Sequence, residues 1–269
     1  MSYDALYVHT ENALLVAANG GELSKEWKVI ESRYDAYVYR QSSVIDDLCD
    51  AVLNGADEST LNQLQGLAMA NMLGTAAGIS GSTEAVVKQE VRNRVAGALI
   101  REYNKTADDN LKRVAANFNL NFRQFRSLTE QVDVEASAES LITAPDEARM
   151  AWLKALEVAA ELDKNLIALR AAFDLAGIRR TDNNDAILGL VCTTDATGAA
   201  RRAVWAAWDT EGRTGRWGAL LAAGIDVKGI DSVQKYSAYA RPQMINKHEH
   251  DGWGIRQTWV DAEDGSPAE

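Results

Sequence analysis

Residue types that carry chemistry are sparse in this chain, and the densest run of them is His248-Glu249-His250-Asp251. Two histidines one residue apart share a side only on an extended strand, and no spacing elsewhere marks the further ligands a zinc site needs. The run is expected to hold no built metal site. The remaining histidine, His9, falls in a helical stretch, so a histidine-based nucleophile triad has few candidates. Cys49 and Cys192 are too few for a disulfide framework and too far apart for zinc-type spacing, so they read as reduced, buried thiols of a cytosolic protein. The run from Gly212 to Gly218 (Gly-Arg-Thr-Gly-Arg-Trp-Gly) reads as a flexible loop and lacks the Gly-x-x-x-x-Gly-Lys spacing that cradles phosphate. No catalytic, cofactor-binding or metal-ligating residue is assigned on these grounds. A carboxylate-based site stays open, because 39 Asp and Glu residues are present and spacing alone does not sort them.

Charge carries more content. The chain is net −11, yet residues 88–126 hold a local excess of +5. Glu90 with Arg94, Asp108 with Lys112 and Asp109 with Arg113 sit four apart in the favourable order, the pattern of a salt-bridged helix face. Lys88 with Arg92 and Arg101 with Lys105 instead set like charges four apart, which an acidic partner would relieve. Lys88, Arg92, Arg101, Lys105, Arg123 and Arg126 are therefore candidate contacts for nucleic acid or an acidic protein face. Phe118, Phe122 and Phe125 interleave with these cations as base-stacking residues do, but their spacing suits a buried helix face better.

The elements that must position these residues are helices. Prolines occur only at Pro145, Pro242 and Pro267 in 269 residues, so long stretches are free of helix breakers. From Ser24, a candidate N-cap, Trp27, Ile30, Tyr34, Tyr37, Ile45, Leu48 and Val52 form one stripe ending at Gly55. A second stripe runs Trp152, Ala155, Ala159, Leu162, Leu166, Leu169, Phe173 and Ala176, opened by Pro145 at a first-turn position and closed by Gly177. Helices are also expected from Ser59 to Ala77, from Ser82 or Thr83 through Tyr103, and again from Leu111, with a restart at Asn119 or Asn121. Gly-Ile after an apolar run, at Gly78, Gly177 and Gly224, predicts left-handed C-terminal caps.

The fold class expected is all-α: a bundle of long amphipathic helices, a shorter-helix C-terminal region and an extended C-terminal arm. The divisions expected are an N-terminal helical region 1–132, an acidic small-residue hinge 133–144, a C-terminal helical region 145–245, and an arm with an acidic tail 246–269. Strand is expected in a short piece such as 254–260. Residues 216–241 also resemble a helix-turn-helix, with Gly224 in the turn and Asp231 to Ala240 as the second helix. Trp253, Ile255 and Trp259 on the arm are candidate interface anchors, since exposed tryptophan is costly and aromatic anchors dominate binding energy.

No stretch approaches the apolar length of a membrane span, so a membrane partner is not expected. The function these features favour is a non-enzymatic helical assembly protein that needs no cofactor and whose foremost partner is itself. The alternative is nucleic-acid binding through residues 88–126 or the hairpin at 216–241.

Overall fold

The computed structural model describes residues 3–38, 44–76, 83–177, 185–192, 198–237, 239, 241, 243–248 and 255–260. The fold is all-α with an extended C-terminal region. The helices are α1 (Tyr3–Ala18), α2 (Lys25–Val38), α3 (Val44–Leu53), α4 (Glu58–Ala76), α5 (Thr83–Asn104), α6 (Ala107–Thr129), α7 (Asp146–Leu175), α8 (Asp185–Leu188), α9 (Gly198–Trp208) and α10 (Arg216–Ala222). A two-stranded antiparallel sheet follows, β1 (Gln243–His248) with β2 (Ile255–Val260). Gly78, Trp253, residues 249–251 and the acidic tail 261–269 lie outside the described residues. Among the described residues, no helix is long and apolar enough to cross a membrane.

The chain divides into two compact units, one of residues 1–11 and 23–105, the other of residues 12–22 and 106–269. The main chain passes between the units at Glu11–Asn12, Glu22–Leu23 and Lys105–Thr106, and the segment 133–144 expected as a hinge lies inside the second unit.

In the first unit, α2 packs on α5, and α4 contacts both α3 and α5. Trp27, Leu99 and Tyr103 are almost wholly buried. Ser24 caps α2 as its position predicts: its Oγ accepts the Trp27 N–H at 3.0 Å and donates to Glu102 Oε1 at 2.8 Å. One cap thus fixes both the start of α2 and its height against α5.

The second unit is built on α6 against α7. Phe118, Phe122 and Phe125 are buried, and the first two rings meet Trp217 edge-on, so these aromatics serve the core. No break occurs at Asn119 or Asn121; α6 runs on because its asparagines bond sideways to other segments. Asn110 accepts the Glu22 N–H at 2.7 Å and donates to the Glu22 carbonyl at 3.1 Å. Asn119 treats Gly229 the same way, accepting at 2.8 Å and donating at 3.3 Å. Gly229 must be small there, since a Cβ would stand 3.1 Å from Phe118 and 3.3 Å from Leu169.

The segment 133–144 is fastened at several points. Glu135 accepts the N–H groups of Arg213 (2.6 Å) and Thr214 (3.0 Å) and the Thr214 hydroxyl. Arg213 lies on the Trp152 ring, 3.4 Å from its centroid, and donates to the carbonyls of Val134 and Trp152. Trp152 Nε1 returns a bond to the Ala136 carbonyl at 3.0 Å. The glycine-rich run is thus a receptor for a carboxylate of the same chain rather than a loose loop. Gly218 permits it, because a Cβ would come within 2.6 Å of Glu135 Oε1.

Three further expectations need correction. Pro145 is the N-cap residue of α7, one position before the first turn. Among the described residues the second helix of the 216–241 hairpin does not form: Lys228 and Ile230 donate to the carbonyls of Val191 and Leu190, and a 3-10 turn forms at Val233–Lys235. Cys49 is exposed while Cys192 is buried, with burial pushing the Cys192 thiol up to about 12. The expected caps are present at Gly177 (φ 92°) and Gly224 (φ 71°). After α10, Gly224 N–H bonds Leu221 O and Ile225 N–H bonds Leu220 O, the paired bonds of a glycine-terminated helix.

Candidate interaction surface

Helix α7 has 30 residues, about 45 Å at 1.5 Å per residue, and is apolar on two opposite faces. The inward face, with Ala151, Ala155, Val158, Leu162, Leu166, Leu169 and Phe173, is buried. A second series begins one residue beyond Trp152: Leu153, Leu156, Ala160 and Ile167 keep the three, four and seven spacing of a coiled-coil seam. These side chains face solvent, with Leu153 52%, Leu156 46% and Ile167 58% exposed. Asp163, which would interrupt the series, receives a hydrogen bond from Trp217 Nε1 at 3.1 Å. The outward stripe is bordered by the ion pairs Lys154–Glu157 (2.7 Å) and Glu161–Lys164 (3.1 Å).

At its N-terminal end the stripe meets an apolar groove of about 250 Å³ lined by Ala138, Leu141, Ile142, Arg149, Trp152 and Leu153. Ile142 and Met150 nearby are 70% and 65% exposed. The locked segment 133–144 forms one wall, so Glu135, Arg213 and Trp152 hold this groove in shape. The sequence did carry a signal for this surface: α7 has more apolar residues than one face can take, and the surplus repeats with its own register.

The six candidate basic residues divide between the units. Lys88, Arg92, Arg101 and Lys105 belong to the first and Arg123 and Arg126 to the second. Arg92 is half-buried and its Nε donates to the Tyr34 hydroxyl at 3.1 Å. Lys105 pairs with Glu102, and that bond, with the one from Ser24, holds the Glu102 carboxyl below its ordinary range. Arg126 stands 4.0 Å from Glu130. Lys88, Arg101 and Arg123 are exposed. Of the expected four-residue pairs, Glu90–Arg94 forms at 2.7 Å, while Lys112 pairs with Asp109 and Arg113 with Glu22.

The arm residues are partly placed. Ile255 opens β2, and half-buried Trp259 has the Arg202 guanidinium 4.8 Å from its ring centre. The partner strand β1, which composition alone did not reveal, exposes Met244 and Ile245. Adjacent strand residues point to opposite faces, so both faces of β1 meet solvent.

One cleft gathers polar groups that spacing had not brought together. Leu6, Tyr7, Thr10, Glu31, Tyr34, Asp35, Val38, Arg92 and Leu99 line about 200 Å³ in the first unit. Burial, and then the neighbouring Asp35 charge, push the Glu31 carboxyl above its ordinary value. Among the described residues, no three His, Cys, Asp or Glu side chains converge to hold a metal ion. No protein-family model, curated protein or solved structure matches this chain.

Proposed function

We propose that the protein is a non-enzymatic helical assembly protein whose partner is another copy of itself. The observation that carries this reading is the outward stripe of α7. A buried helix needs one apolar face, and a second one left in solvent with a regular seam is surface that association would remove from water. The exposed faces of β1 and the stiffened groove beside Leu153 support the same reading. Two unpaired cysteines, one of them exposed, suit a reducing compartment such as the cytosol.

Sedimentation equilibrium across about 1 to 200 µM is the test. A mass that rises with concentration to a discrete oligomer supports assembly, and a monomer mass throughout overturns it. Nucleic-acid binding is the second reading, favoured by the exposure of Lys88, Arg101 and Arg123. It has lost its hairpin, and Lys235 and Arg241 there pair with Asp231 and Asp209. A nucleic-acid absorbance signature co-purifying with the protein, and removed by salt, would favour that reading instead.

A further inference from the structure

Resting on the assembly reading, we propose that α7 pairs with α7 of a second copy in antiparallel orientation about a twofold axis at Ala160.

The two ends of the outward stripe are symmetric about that residue, while Leu156 falls opposite Lys164 of the other copy. Leu153 lies seven residues before Ala160 and Ile167 seven after it, so an antiparallel crossing sets Leu153 of one copy against Ile167 of the other, twice. A twofold interface requires this reciprocity, in which each residue meets its counterpart in both directions. The smallest member, Ala160, stands where the two helices come closest, as helix crossings favour.

Charge selects the direction. Glu157 precedes Ala160 by three residues and Lys164 follows it by four. Antiparallel pairing brings Glu157 of each copy to Lys164 of the other. Parallel pairing leaves Glu157 and Lys164 on the opposite flank of the seam from their counterparts, so the Glu157–Lys164 pair across the helices is lost. Glu157 and Lys164 now bond Lys154 and Glu161 within their own helix, at exposed positions where such pairs are weak and exchange freely.

The groove completes the fit. It adjoins Leu153, so the Ile167 end of the second helix reaches the wall made by Leu141 and Ile142. Two helices meeting along one stripe lie at the low end of interface size, so the dimer is reversible and its population follows concentration.

The experiment is sedimentation of two charge variants, alone and mixed. Glu157→Lys presents two cations to each copy and Lys164→Glu presents two anions, so each alone should dimerise at least tenfold more weakly than the unaltered chain. Mixed in equal amounts they should form a heterodimer of near wild-type affinity, because every cross-helix pair is then opposite in sign. In a Cys49→Ser background, Ala160→Cys should also give a covalent dimer on mild oxidation. If the unaltered chain associates but both variants associate equally well, the α7 face is wrong and the assembly reading survives. If the unaltered chain stays monomeric throughout, both fall.

Discussion

Asn165 donates from its side-chain amide to the Asn19 side-chain oxygen at 3.0 Å, and the bond is buried. Asn165 is itself fully buried and accepts from Asn121 Nδ2 at 2.6 Å, so one amide joins three segments of the second unit.

Replacing Asn165 by alanine leaves the Asn19 side-chain oxygen without its donor in the buried interior, while the half-buried Asn121 amide can turn to water. Leaving a buried group unsatisfied costs about 1 to 3 kcal/mol, so Asn165→Ala should lower unfolding stability by about that much. The shift of the urea midpoint at constant slope measures it.

Arg213 should prove hard to replace by lysine. The guanidinium stacks on Trp152 while serving two carbonyls, a task for a planar group with several fixed donors. Arg213→Lys is expected to cost about 1 to 2 kcal/mol, the order of a cation–π contact plus a charged hydrogen bond. It should also raise binding of a hydrophobic dye as the groove beside Leu153 loosens.

His9 gives the first unit a pH dependence. Burial holds its imidazole below the ordinary value of 6.5. Above 6.5 the ring is neutral in both states and stability is full. As pH falls below 6.5 the unfolded chain takes up the proton first, so stability declines until the folded pKa is passed. Glutamine or phenylalanine at position 9 should flatten the denaturation midpoint over that window, whatever either does to its absolute level.

Glu31 responds in the opposite sense. Its carboxyl is raised by burial and by Asp35, so Asp35→Asn should lower its titration midpoint in a side-chain carboxyl NMR titration. No movement on that substitution would leave burial as the whole cause.

Helix α7 was readable from its ends: Pro145, Asp146 and Glu147 opened it and Gly177 closed it, and the observed span is Asp146–Leu175. The stripe from Ser24 to Gly55 reads as one run in the sequence, and its described residues belong to two helices, Lys25–Val38 and Val44–Leu53. The restart placed at Asn119 or Asn121 failed for a physical reason. Asparagine breaks helices when it bonds its own backbone, and here each amide finds a partner far along the chain. The same blindness hid β1, whose strand character comes from β2 opposite it, and the cleft at Glu31, whose lining comes from three helices. The outward face of α7 is legible in spacing alone, as a second apolar series offset from the first.

The second unit takes residues 12–22 from between the two stretches of the first unit and the rest from behind it, and this has a bearing on synthesis. Asn19 leaves the ribosome 146 residues before Asn165. At about 5 to 20 residues per second, that interval is roughly 7 to 30 seconds. Throughout it the remainder of the first unit, residues 23–105, can emerge while Asn19 still lacks its partner, so the end of α1 is a place where a nascent chain is open to chaperone capture.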